Sequence, residues 1–204
     1  MKSIIYHPGF ILAVLGAISG KLGTYALDVS VGEAPQLGLY MMLTGLWFGF
    51  VVAFGVWQWG NRSWVAIVTA LVATWIAWEV AVNFCLQLTE NWLKAVKFPA
   101  EARTYVGGFA AGAVGAFVTW AGVAASTPSL RQTWMAAAMV VTGAIFGLLL
   151  PWTNEYDSPA ILLLPWQSAV AVVLGVCLDH CRRHDTERPF AATGKGGSTS
   201  TFSL

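Results

Sequence analysis

The chain has 204 residues, of which 57% are hydrophobic and only 10% charged; 11 basic and 10 acidic residues leave a formal net charge of +1. A soluble domain carries about 25% charged residues, so this chain lacks the polar surface that water requires, and its balanced charge gives nucleic acid nothing to bind. Its three cysteines, Cys85, Cys177 and Cys181, have none of the paired spacing of a disulfide-stapled domain.

A helix needs about 20 mostly apolar residues to cross a bilayer, and six segments qualify. The first, Ile4–Leu27, follows Lys2 and ends in small residues, as a signal peptide does, but His7 and Pro8 interrupt its apolar run and it reads as a spanning helix. The second is Leu37–Trp57. The third, Ser63–Leu88, contains "TWIAWEVAVNFCLQL", with Glu79 inside it. Tyr105–Ala125, Gln132–Leu150 and Ala160–Cys181 complete the set, and Pro165 is expected to kink the last. Beyond residue 181 the chain turns polar and rich in Gly, Ser and Thr, so 1–181 reads as a transmembrane domain and 182–204 as a flexible cytoplasmic tail. The fold class is therefore an all-α integral membrane protein with six transmembrane helices. Unbroken apolar runs exclude a β-barrel, whose strands alternate polar and apolar.

Six spans put both termini on one side. If that side is cytoplasmic it holds Lys2, Arg62, Arg131, Arg182, Arg183, Arg188 and Lys195, against Lys21, Lys94, Lys97 and Arg103 outside. The excess of basic residues favours cytoplasmic termini, with the acidic "TNEYDS" loop (Glu155, Asp157) outside. A bacterial inner membrane is the expected setting.

Four segments carry a Gly-x-x-x-Gly pair: Gly16/Gly20, Gly45/Gly49, Gly108/Gly112 and Gly143/Gly147. Such pairs make flat strips where backbones approach closely. They fall in the first, second, fourth and fifth segments, a pattern that repeats after three helices. Two inverted three-helix repeats would produce it; so would chance among 21 glycines. The same strips offer faces for a homo-oligomer or other membrane subunits.

Glu79 is the leading candidate for function. A charge near the bilayer centre costs about 3 kcal/mol and is usually paired, protonated or functional. Asn83 and Gln87 follow it at four-residue steps on one helix face. Trp75 and Trp78 flank it and could stack on a ligand cation. Lys21 sits at a comparable depth in the first segment, so a neutralising Lys21–Glu79 pair is geometrically possible. Gln167 adds polar lining from the sixth. The bland alternative is a structural ion pair or interhelical hydrogen bond.

The second constellation is "CLDHCRRH", with Cys177, His180, Cys181 and His184 at helical steps. Thiolate and imidazole bind zinc or copper, but one straight helix cannot surround an ion, and a helix end meeting lipid phosphate explains the same residues. Of eleven tryptophans, Trp57, Trp59, Trp64, Trp92, Trp134 and Trp152 fall at expected interfaces, whereas Trp47, Trp75, Trp78, Trp120 and Trp166 fall deeper. No metalloprotease, phosphate-loop or intramembrane-aspartate motif is present, which disfavours an enzyme. The residues do not identify a cofactor. The expected function is a small channel or secondary transporter for a small solute or ion, with Glu79 at its polar centre. The alternative is a non-catalytic accessory subunit of a larger membrane complex.

Overall fold

A computed structural model describes residues 7–25, 30–34 and 39–187. The segments at 4–6, 26–27 and 37–38 of the first two expected spans, and the tail beyond Glu187, lie outside the described residues. Helices α1 (Pro8–Tyr25), α2 (Leu43–Trp59), α3 (Trp64–Leu86), α4 (Ala100–Ser126), α5 (Thr133–Gly147), the short α6 (Leu150–Glu155) and α7 (Ala160–Glu187) form one bundle. Among the described residues four helical stretches are long and apolar enough to cross a membrane: Trp64–Leu93, Ala100–Ser126, Thr133–Glu155 and Ala160–His184. α2 is apolar but shorter.

Three boundaries differ from expectation. The second span was expected from Leu37, yet Leu39–Met42 forms β2, antiparallel to β1 (Ser30–Ala34) with Glu33 opposite Tyr40. Gly32, Pro35 and Gly38 disfavour a helix there, and α2 begins only at Leu43. The "TNEYDS" loop is partly helical, because Pro151 sits in the first turn of α6, where its missing N–H is harmless. The polar tail was expected from Arg182, but α7 continues to Glu187, and Pro165 falls inside it without ending it.

Each glycine strip lets another helix of the same chain come close. A methyl group at Gly112 would overlap the Gly143 carbonyl, and one at Gly147 the Gly108 carbonyl, so α4 and α5 touch backbone to backbone. Methyl groups at Gly16 and Gly20 would lie 2.7 Å from the carbonyl oxygens of Gln167 and Leu163 on α7. One at Gly45 would lie 2.5 Å from Trp78 Cβ, and one at Gly49 2.8 Å from the Leu71 carbonyl oxygen, both on α3. The strips thus meet different partners in the two halves of the chain: α1 uses its glycines against α7, whereas α4 uses its own against α5.

The outside of the bundle is apolar. Phe10, Val14, Ile18 and Leu22 form an exposed row along α1, and Val68, Val72, Ile76 and Val80 another along α3. Such rows would be costly in water and are natural in lipid. Trp57, Trp64, Trp92, Trp134 and Trp152 are exposed near helix ends. The buried core, centred on Leu12, Val52, Val56, Met135, Met139 and Leu174, occupies the half of the bundle away from the α3–α4 connection.

Candidate functional site

Small residues draw α3 and α4 together: Ala73 sits against Gly122, Ala81 against Gly115 and Thr89 against Gly107. α7 approaches α4 much less closely than α5 does. Between them lies a cavity of about 520 Å³. α4 lines it with a single smooth face: Thr104, Gly108, Ala111, Gly112, Gly115 and Thr119, spaced at helical steps. α3 contributes Thr74, Trp78, Ala81, Cys85 and Thr89, and Phe48 and Trp166 close it from α2 and α7.

The mouth is polar. Glu90, Arg103, Thr104 and Asn154 gather there, at the end of the bundle that carries the α3–α4 connection. Past Leu86 the α3 helix continues as a wider π-helical segment, Gln87–Leu93, which contains Glu90. π turns often mark functional positions. Lys94 Nζ donates to Glu90 Oε2 at 3.2 Å. The depth is aromatic. Trp166 is 8% exposed and its Nε1 donates to the Gly143 carbonyl at 3.1 Å, which fixes the ring against α5. Phe48 meets that ring edge-on with centroids 5.7 Å apart. Three buried polar atoms of the lining, Trp78 Nε1, Arg103 Nε and Thr119 Oγ1, have no hydrogen-bond partner among the described residues.

Of the side chains proposed from the sequence as the polar site, Trp78 lines this cavity, whereas Glu79, Lys21, Asn83, Gln87, Trp75 and Gln167 do not. Glu79 is buried, 7% exposed, on the neighbouring face of α3. Asn83 Nδ2 donates to the Glu79 backbone carbonyl at 2.8 Å, and Gln87 Oε1 accepts from Asn91 at 2.5 Å. Asn83 and Gln87 therefore each bond along their own helix. Trp75 lies on that stripe as well, one turn before Glu79. Lys21 is exposed, with its Nζ 5.2 Å from the centroid of the Tyr25 ring, and no ion pair among the described residues joins it to Glu79. Gln167 is fully buried and accepts a 2.5 Å hydrogen bond from Ser19 Oγ, tying α7 to α1.

The cysteine–histidine constellation lies along α7. Cys177 and Cys181 are buried in the core, and Cys181 Sγ donates to the Ser129 carbonyl at 3.2 Å. His180 stacks edge-on with His184 (centroids 4.4 Å) and with Trp134 (5.3 Å). Among the described residues no three His, Cys, Asp or Glu side chains are grouped to hold a metal ion.

Arg103, Thr119, Asn154 and Glu90, which line the cavity, are not among the candidate residues read from the sequence. The legible signal was the run of threonines and small residues down one face of α4. The stripe chosen from the sequence sits one residue, about 100° of helix rotation, from the α3 face that meets the cavity. Comparison of the chain with protein-family models, characterised proteins and solved structures finds no match. Fold and composition define an α-helical, membrane-embedded bundle.

Proposed function

We propose that the protein is a small secondary transporter in which the cavity between α3, α4 and α7 receives the solute. α1 and α2 cross beside the four longer helices, giving six spans with both termini cytoplasmic, so that the mouth at Glu90 and Arg103 faces outward. The observation that carries this reading is a cavity with a charged mouth and an aromatic depth inside an apolar bundle, the usual make-up of a ligand site. The far end is filled by buried Ala70, Val52 and Val123. A pocket open at one end suits a carrier better than an open channel, since carriers bind within the bilayer and expose the site to one side at a time. The alternative reading, an accessory subunit, would dock partner helices on the glycine strips, which here are filled by the chain's own helices.

Cys85 tests the proposal, because it lines the cavity while Cys177 and Cys181 are buried in the core. In intact cells a charged, membrane-impermeant methanethiosulfonate should modify Cys85, identified by peptide mass, and spare the other two. Modification by a permeant reagent of the same chemistry but not by the charged one would overturn the aqueous cavity. Modification by the charged reagent in inverted vesicles alone would overturn the orientation.

A further inference from the structure

The cavity is long for its volume. Arg103 and Thr119 both line it, and they stand about 24 Å apart along the α4 axis at 1.5 Å per residue. About 520 Å³ spread over that length makes a slot, which suits a chain-like molecule better than a rounded one.

The lining also changes character along the slot. At the mouth Arg103 Nε is buried with no hydrogen-bond partner among the described residues. The neighbouring acid, Glu90, is held by Lys94 at 3.2 Å, and none of the ion pairs among the described residues includes Arg103. A guanidinium offers a planar fork that grips a carboxylate or phosphate through two parallel hydrogen bonds. Below it the walls are Val82, Ala81, Trp78, Leu163, Trp166 and Phe48, with no charged side chain among them.

We infer that the slot binds a single-chain amphiphile with an anionic head, the head on Arg103 and the chain running past Trp78 towards Trp166. Each part of the ligand answers one part of the lining. An uncharged chain would leave the guanidinium without its counter-charge, and a small hydrophilic anion would leave the aromatic slot unfilled. The inference rests on the cavity being the solute site proposed above, and it adds the chemical class of the solute.

The test is contact quenching of tryptophan by brominated chains. The protein in lipid nanodiscs is titrated with 9,10-dibromostearate, with the alcohol of the same chain, with a monoacyl phosphate bearing that chain, and with acetate. The expected result is saturable quenching by the two anionic chains, which excess unbrominated stearate displaces and excess acetate does not. The saturable part should shrink in Trp78→Phe, a variant that loses no hydrogen bond because Trp78 Nε1 makes none to the described residues. Arg103→Gln should weaken the anionic chains about tenfold and leave the alcohol unchanged. Arg103→Lys, which keeps the charge but not the fork, should fall between, and melting curves establish that each variant is folded. The tighter of stearate and acyl phosphate identifies the head as carboxylate or phosphate.

Equal binding of acid and alcohol, or an unaltered affinity in folded Arg103→Gln, would overturn the anionic head. Quenching that never saturates, or that ignores Trp78, would overturn the chain's position. The Cys85 experiment separates the two readings. A modified Cys85 without Trp78-dependent quenching removes the amphiphile alone, whereas a Cys85 closed to the charged reagent removes the solute site beneath it.

Discussion

Replacing Gly112 with alanine should destabilise the bundle even though alanine is the better helix former. The added methyl group would overlap the Gly143 carbonyl and approach the Gly147 Cα at 3.1 Å, so the obstacle is backbone, which cannot rotate aside. α4 and α5 would have to separate, loosening the matched contact of Gly108 with Gly147 one turn away. Overpacking of this kind costs about 1–3 kcal/mol, and up to about 1 kcal/mol is recovered from helix propensity. At the middle of the overpacking range the net loss is about 1 kcal/mol, which corresponds to about 2–4 °C of melting temperature for a chain of this size. Gly115→Ala is the internal comparison. Its methyl group would meet side chains alone, Ala81 Cβ at 3.2 Å and the Trp166 ring at 3.5 Å, beside the open cavity. Thermal denaturation in detergent should therefore separate the two variants, with Gly112→Ala melting lower. Equal melting temperatures would refute the claim that backbone contact, and not helix propensity, governs these positions.

Two further outcomes are expected. Ser19→Ala leaves the buried Gln167 Oε1 without its donor and should cost about 1–3 kcal/mol; adding Gln167→Leu should recover part of that loss in a double-mutant cycle of melting temperatures. Lys21→Met should leave stability unchanged and should not rescue any defect of Glu79→Gln, because the Lys21 ammonium lies over the exposed Tyr25 ring; rescue in the double variant would restore the ion-pair reading of Glu79.

The features legible in the sequence were those with strong, local causes. The scarcity of charge gave the membrane class, and long apolar runs located the four longest apolar helical stretches to within five residues at each end. Gly112 and Gly143 sit at a helix contact because a four-residue glycine spacing has few other uses in an apolar helix. The start of α2 was misplaced because Leu39, Tyr40, Met41 and Met42 suit strand and helix alike, and the choice between them came from pairing with β1. The cavity was not read from the sequence for a different reason. Glu79 draws notice because a carboxylate is expensive in lipid, yet its cost says nothing about which way its neighbours face. The cavity is defined by residues that are cheap in a membrane, threonine, alanine and glycine, and by Arg103 at a helix end, where a charge is unremarkable. Which faces of α3, α4 and α7 meet is a property of packing, and no single segment encodes it.

The π segment at Gln87–Leu93 has a consequence for what evolution and engineering can do at the mouth. A π turn closes its hydrogen bonds one residue later than an α turn, so the segment behaves as a single-residue insertion stored in the helix. Removing one residue there would let the backbone fall into ordinary α geometry at little expense to the fold. Side chains beyond the segment would keep their directions, because the wide turn already absorbs the extra residue, and only those within Gln87–Leu93 would shift around the axis. Glu90, inside the segment, would shift relative to Lys94 at the rim. The charge pattern at the opening is thus set by an indel of length one, a change that leaves the walls of the slot below residue 86 in place.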